Sequence, residues 1–303
     1  MMVLSLRRWR QRRITVAAFE PVYRDYLYSL AIKPKTLENR LCCLRHVIDA
    51  LGNMPLIDVR PSHIARMISD IHATGRRVTA RRVLLEADAL CYRALLEGHL
   101  QTNPAQPVKP PSAPPARARL LLDEWQAIHD WAMQQGDRRL WFAAALKLAL
   151  ITGQRRSDLV RMRMDHIVDG HLRIEQYKTG ARIALPLALK LDALGVTIAD
   201  VVQECRDYRR PGQYLLRKKD DRPMDVSGLS MRFADGRRAA LADADWVPRT
   251  PPTFHEIRSL SERLYRAQGI DTMTLLGHKR QYMTDQYNDE RGRNADRWRT
   301  LTV

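Results

Sequence analysis

The chain has 303 residues, and 51 Lys and Arg against 34 Asp and Glu give it a formal net charge of +17. With 45% hydrophobic residues and only 14 Gly, the composition excludes a disordered basic tail. It leaves a folded protein of about two domains whose excess charge points to a polyanionic partner, above all nucleic acid. No apolar run approaches the ~18 residues of a membrane helix. The opening MMVLSLRRWRQRR puts Arg7, Arg8, Arg10, Arg12 and Arg13 where a secretory signal needs an apolar core. The four Cys lack C-x-x-C spacing and the nine His lack H-x-x-x-H spacing, so neither a disulfide framework nor a zinc site is expected. The expected compartment is the reducing cytoplasm, with no metal and no cofactor.

In chain order, residues 1–13 form a basic amino-terminal arm. Apolar residues then recur at helical spacing over 16–30 and 36–51, where Leu37, Leu41, Leu44, Val47 and Ile48 form one stripe. Adjacent Cys42 and Cys43 read as core or packing residues of that helix. Pro61 opens a third helix that Gly75 closes, and a fourth runs over about 79–98. Together these predict a small helical bundle over 14–102. Arg76, Arg77, Arg81 and Arg82 crowd the start of its fourth helix and are the expected contacts to a nucleic-acid backbone. Residues 103–119, NPAQPVKPPSAPPARAR, carry six Pro that interrupt helix and strand alike, and predict a linker.

The remainder, 120–303, reads as a mixed domain. Residues 122–135 begin with Asp123 and Glu124 in a first turn, as the helix dipole prefers. Residues 139–151 are apolar enough to be a buried helix. Gly153 breaks the chain before a short helix from about Ser157. Residues 171–187 alternate as a hairpin with Lys178-Thr179-Gly180 at its tip. The rest is mostly helical, with Pro248, Pro251 and Pro252 in a loop before a helix over 254–268. The predicted fold class is mainly α with a small β-sheet.

Four short segments offer groups suited to a phosphate. In TGQRRSDL, Arg155 follows a glycine turn at a helix start, where the dipole also favours an anion. Asp158 in that segment suits either the orientation of Arg155 or a helix cap. Lys178 sits on the hairpin tip. In HEIR, His255 and Arg258 stand at i and i+3 on one helix face, a proton carrier beside an oxyanion fork. In LLGHKRQYMTDQYNDERGR, His278 is followed nine residues later by Tyr287. A phenol is a poor nucleophile at neutral pH unless neighbouring cations stabilise the phenolate.

Arg, Lys, His-x-x-Arg, Gly-His and a downstream Tyr in this order resemble the tyrosine recombinases, and within them the lambda-type phage integrases. The segments TGQRRSDLVRMRMDHIVDGHLRIEQYKTGARIALPL, PPTFHEIRSLSERLY and LLGHKRQYMTDQYNDERGR carry the resemblance, together with IKPKTLENR and EGHLQTNPAQPV. It spans about residues 14–293. It implies a helical, SAM-like core-binding domain followed by a mixed α/β catalytic domain. It also implies site-specific cutting and rejoining of DNA strands through a 3′-phosphotyrosine and a Holliday junction, without metal or nucleotide.

By the same resemblance, Tyr287 is the nucleophile, Arg155 and Arg258 hold the non-bridging oxygens, and Lys178 protonates the leaving 5′-oxygen. His255 moves the proton at the tyrosine and His278 bonds the phosphate. The implied partners are double-stranded attachment-site DNA and three further copies in a homotetramer on DNA. A host DNA-bending protein and an excisionase are also implied, though weakened by one departure. Lambda-type integrases carry a further amino-terminal arm-binding domain, and only about 13 residues here precede the core-binding segment. Trp298 and Leu301 are the expected apolar anchors of a tail that packs on a neighbouring protomer or folds back. The alternative reading is a non-catalytic DNA-binding prophage relic.

Overall fold

In a computed structural model, the chain folds as two compact units, residues 1–114 and 115–303. The structure describes residues 14–113, 117–136, 140–210, 212–242, 244–247 and 249–289.

The first unit is helical. Helix α1 (Val16–Ser29) is capped by Thr15, whose Oγ1 accepts from the backbone N–H of Ala18 at 3.1 Å. Helix α2 (Pro34–Leu51) starts on a proline, whose missing N–H is an orphan at that position in any case. After a 3₁₀ turn (Leu56–Asp58), α3 (Pro61–Ala73) and α4 (Arg77–Leu96) complete the bundle. Phe19, Leu27, Leu44, Ile64, Val83 and Leu90 are among the residues that fill its core. One polar group is buried with them. The Tyr23 hydroxyl donates to Glu86 Oε1 at 2.7 Å, and Arg40 Nε donates to Glu86 Oε2 at 2.9 Å and Nη2 to Tyr23 Oη at 2.8 Å.

Cys43 is buried, but Cys42 is exposed, which corrects the expectation that both pack. Neighbours on a helix point about 100° apart, so a narrow apolar stripe takes one of them. The Pro-rich stretch contributes at both ends to packed structure. Within it Ala105 belongs to the first unit's core, as does Leu100 just before the stretch, whereas Ala118 is buried in the second unit, as is Leu120 just after it. There Ala118 N–H donates to the Thr250 carbonyl at 2.9 Å.

In the second unit, α5 (Leu122–Gln134) and α6 (Leu140–Thr152) lead, and α6 is buried on all sides. Helix α7 (Arg156–Leu159) is a single turn. Strands β1 (Ile167–Val168), β2 (His171–Glu175) and β3 (Arg182–Pro186) form an antiparallel sheet in that order, with Leu172 opposite Leu185 and Ile174 opposite Ile183. A second pair, β4 (Lys190–Leu191) and β5 (Val196–Thr197), is absent from the expected elements, because two-residue strands have no periodicity to read.

Helix α8 (Ile198–Asp207) ends on a buried guanidinium. Arg217 donates to the carbonyls of Cys205 at 2.7 Å and of Arg209 and Arg210 at 2.8 Å, taking up carbonyls that a helix end leaves without partners. Helices α9 (Val226–Ala240), α10 (Glu256–Ala267), α11 (Thr272–Leu276) and α12 (Gln281–Asp285) follow. One core joins Trp125, Phe142, Leu146, Phe233, Ile257 and Leu260, with Tyr287 packed on it, half-buried.

Candidate active site

Gly153 lies between α6 and α7 with φ +63°, a conformation that favours glycine. A Cβ there would also come within 3.0 Å of Leu276 Cδ2 and Ser261 Oγ. The bend lets its carbonyl accept from Arg258 Nη1 at 2.6 Å. Arg258, 1% exposed on α10, donates Nη2 to the carbonyl of Leu276 at 2.6 Å. One guanidinium thus fixes the loop before Arg155 and the turn before His278. That turn is Gly277, φ +63°, which caps α11. A Cβ on Gly277 would stand 2.7 Å from Ile183 Cδ1, so helix and hairpin approach closely only because no side chain intervenes.

Arg258 Nη2 also meets His278 Nε2 at 3.2 Å. Guanidinium only donates, so Nε2 is the acceptor and the ring proton resides on Nδ1, which donates to Thr284 Oγ1 at 2.9 Å. The Tyr287 ring lies over this group. Its centroid is 5.5 Å from that of His278, 6.0 Å from that of His255 and 5.6 Å from Arg258 Cζ. His255 and Arg258 do share a face, with His255 as the N-cap of α10.

Arg155 enters through a residue that sequence reasoning missed. Gln176 is fully buried at the end of the hairpin's first arm. Its Oε1 accepts from Arg155 Nη1 at 2.8 Å and Thr179 Oγ1 at 2.7 Å, while Nε2 donates to Gln154 Oε1 and to the Leu276 carbonyl. The signal was available: Leu172, Ile174 and Gln176 alternate on the inward face, and a polar residue in an inward place needs partners. Lys178 is the member set apart, exposed on the turn two residues beyond Gln176.

Two expectations are corrected. With α7 only one turn long, a helix dipole has little to offer an anion, and Arg155 is aimed by Gln176 instead. Asp158 neither orients Arg155 nor caps the helix. Its Oδ1 accepts from the Tyr177 backbone N–H at 2.9 Å, tying α7 to the hairpin turn.

The electrostatics are cationic. An open cleft of about 460 Å³ is lined by Arg117, Arg155, Arg156, Arg237, His255 and Arg258 and, among the described residues, by no acidic one. Desolvation, then the neighbouring guanidiniums of Arg258, Arg155, Arg117 and Arg156, push His255 down to about 4 although one side of the residue is exposed. Desolvation, then Arg258 and Arg155, push His278 to about 4. Arg258, desolvated and repelled by Arg155, falls to about 10 and stays charged at neutral pH. Arg117, Arg156 and Arg237 were not singled out by the sequence, since an Arg in a loop or helix looks like any solvated one until its neighbours in the fold are known.

Arg76, Arg77, Arg81 and Arg82 are exposed on the first unit, at and just before the start of α4. Arg7, Arg8, Trp298 and Leu301 lie outside the described residues. Among the described residues, no three of His, Cys, Asp and Glu converge as metal ligands, and no helix is long and apolar enough to cross a membrane.

The sequence matches the phage integrase family over residues 118–293 and the phage integrase central domain over residues 19–110. The integrase of Escherichia phage HK022 is 37% identical over 286 residues, covering 94% of this chain and 78% of that protein. Among solved structures, a lambda integrase dimer bound to a COC′ core site is similar with a TM-score of 0.90 at 33% identity, covering 99% of this chain and 83% of that one. A lambda integrase tetramer bound to a Holliday junction is similar with a TM-score of 0.87 at 33% identity, covering 96% and 81%. Identity at this level over nearly the whole length, on a shared fold, means that this chain belongs to the phage integrase family, the tyrosine-type site-specific DNA recombinases.

Proposed function

We propose that this chain cuts and rejoins attachment-site DNA for the integration and excision of a phage genome, with Tyr287 as its nucleophile. The observation that carries the reading is the gathering of His255, Arg258 and His278 around one tyrosine ring at the edge of a cleft lined, among the described residues, by cations and no carboxylate. The Tyr287 phenolic oxygen attacks the scissile phosphorus and the bond to the 5′-oxygen breaks, leaving a 3′-phosphotyrosine. Arg155 and Arg258 hold the non-bridging oxygens, whose charge grows in the transition state, in a site where burial strengthens their field. His255, neutral at physiological pH, accepts the phenolic proton, and Lys178 protonates the departing 5′-oxygen. His278 bonds the phosphate. Its Nε2 accepts from Arg258 in the structure, so bonding the phosphate moves the ring proton from Nδ1 to Nε2, which then donates to a phosphate oxygen while Thr284 Oγ1 donates to Nδ1. A 5′-hydroxyl from the partner duplex then attacks the phosphotyrosine, and the phosphodiester is restored with its energy conserved.

Arg117, Arg156 and Arg237 supply further cations for the flanking phosphates. Arg76, Arg77, Arg81 and Arg82 give the helical, core-binding unit a second set. The lambda integrase structures on core-site DNA and on a Holliday junction support double-stranded DNA as the partner and a homotetramer as the working assembly. A host DNA-bending protein and an excisionase are further partners that the family implies, with the bacterial cytoplasm and its nucleoid as the place of action.

The test is covalent trapping on a nicked duplex taken from the DNA flanking the gene, in EDTA, with peptide mapping of the adduct. A 3′-phosphate linked to Tyr287 is expected, and Tyr287→Phe should abolish it. An adduct that persists in the Phe variant would refute the nucleophile assignment. Tight binding with no adduct would favour a binding-only relic.

A further inference from the structure

The backbone that carries Tyr287 is held from the other end of its domain. Arg119, 2% exposed, donates Nε to the carbonyl of Asp289 at 2.6 Å, Nη2 to the carbonyl of Gln286, and Nη1 to Glu256 Oε2 at 3.0 Å. Its side chain therefore spans the nucleophile segment on both sides of Tyr287. Ser259 Oγ takes the carbonyl of Tyr287 itself at 2.7 Å. On the far side, Arg266 joins Glu262 at 2.6 Å to Asp285 at 2.9 Å.

Helix α12 is five residues long and ends at Asp285, so the carbonyls beyond it have few partners of their own helix. A guanidinium is the one side chain whose planar fork can meet two carbonyls and a carboxylate at once. Its burial makes the arrangement close to all-or-none. If the segment moves away, Arg119 retains Glu256 but loses both carbonyls in a place that water scarcely reaches, and an incompletely satisfied buried charge is costly. None of its described bonds points to the cleft, and it is not among the cleft's lining residues.

We infer that Arg119, anchored by Glu256, is a positioning residue that holds the Tyr287 segment where the phenol can attack. The inference rests on Tyr287 being the nucleophile. Its role is specific to cleavage, because rejoining needs the guanidiniums at the phosphate but, when the phosphate is already activated, no tyrosine.

That difference gives the test, in the full chain, on the duplex that the unsubstituted protein cleaves. Cleavage is read as single-turnover adduct formation over a range of duplex concentrations. Rejoining is read on the same site carrying a nick with a 3′-p-nitrophenyl phosphate facing a free 5′-hydroxyl. There the 5′-oxygen attacks phosphorus, the bond to the aryl oxygen breaks, p-nitrophenolate leaves, and the hydroxyl proton passes to solvent.

Arg119→Gln should lower the maximal cleavage rate by about 100-fold, the cost of misplacing a reacting group by about 1 Å. The duplex concentration at half-maximal rate and the rejoining rate should be retained. Cleavage at the unsubstituted rate would overturn the inference, and so would equal loss of cleavage and rejoining, which reports a damaged fold. Tyr287→Phe separates the two claims. If it still forms adduct, the nucleophile reading fails; if it forms none while Arg119→Gln cleaves normally, only the positioning role fails.

Discussion

Two histidines beside a buried guanidinium decide how the site handles protons. His255 and His278 are both pushed to about 4, against ~6.5 for an unperturbed imidazole. Both are therefore neutral at physiological pH, as a proton acceptor at Tyr287 and an acceptor from Arg258 must be. The stability consequence has a definite sign. Between pH ~6.5 and ~4 the unfolded chain binds protons that the folded chain refuses, so stability falls as pH drops through that window and is unaffected by these groups above it. In the free protein, the His255 and His278 ring signals should titrate with midpoints near 4 in an NMR series on labelled histidine. Midpoints near the unperturbed value would show that neither burial nor the guanidiniums hold these rings down. Cognate duplex should raise both, because a bound phosphate offsets the neighbouring cations.

At the scale of elements, a buried polar group set within the apolar core joins three helices of the first unit. Tyr23 on α1, Arg40 on α2 and Glu86 on α4 satisfy one another. Burial and the bond to Glu86 hold the Tyr23 phenol well above its ordinary range. Glu86→Ala leaves a buried hydroxyl and a partly buried guanidinium without their acceptor, and should lower the unfolding free energy by about 2 kcal/mol in urea denaturation. Glu38→Ala is the comparison. Its pair with Lys35 is exposed at 69% and 74%, and such pairs contribute about 0–1 kcal/mol. Equal effects from the two substitutions would mean that the buried network is not what fixes these helices. In the second unit the same economy appears at Gln176, where one amide joins the hairpin, the Arg155 loop and the end of α11.

For the whole molecule, charge sets how DNA binding responds to salt. The net charge is +17, and both units expose Arg: four at the start of α4, and Arg156 beside Arg155 at the cleft of the second unit. Neutralising six or more phosphates should weaken DNA binding by roughly 1,000-fold or more between 50 and 200 mM salt. A fluorescence-anisotropy titration at several salt concentrations checks this. A nearly flat dependence would mean that few of these cations reach phosphate.

What the sequence by itself determined is what local rules govern. The helices of the first unit follow from apolar spacing, from Pro34 and Pro61 at helix starts and from Gly75 at a helix end. The hairpin follows from alternation, and the order of Arg155, Lys178, His255, Arg258, His278 and Tyr287 was legible because each stands in its own short motif. What only the tertiary structure decided is which groups meet across long separations. Arg258 takes carbonyls 105 and 18 residues away, and Arg119 takes carbonyls 170 and 167 residues away. The sequence does not mark Arg119 as distinct, and at Gln176 alternation marks an inward place without naming the partners that fill it. A motif reports the residues next to it, whereas a buried charge or amide is defined by the acceptors that folding brings to it.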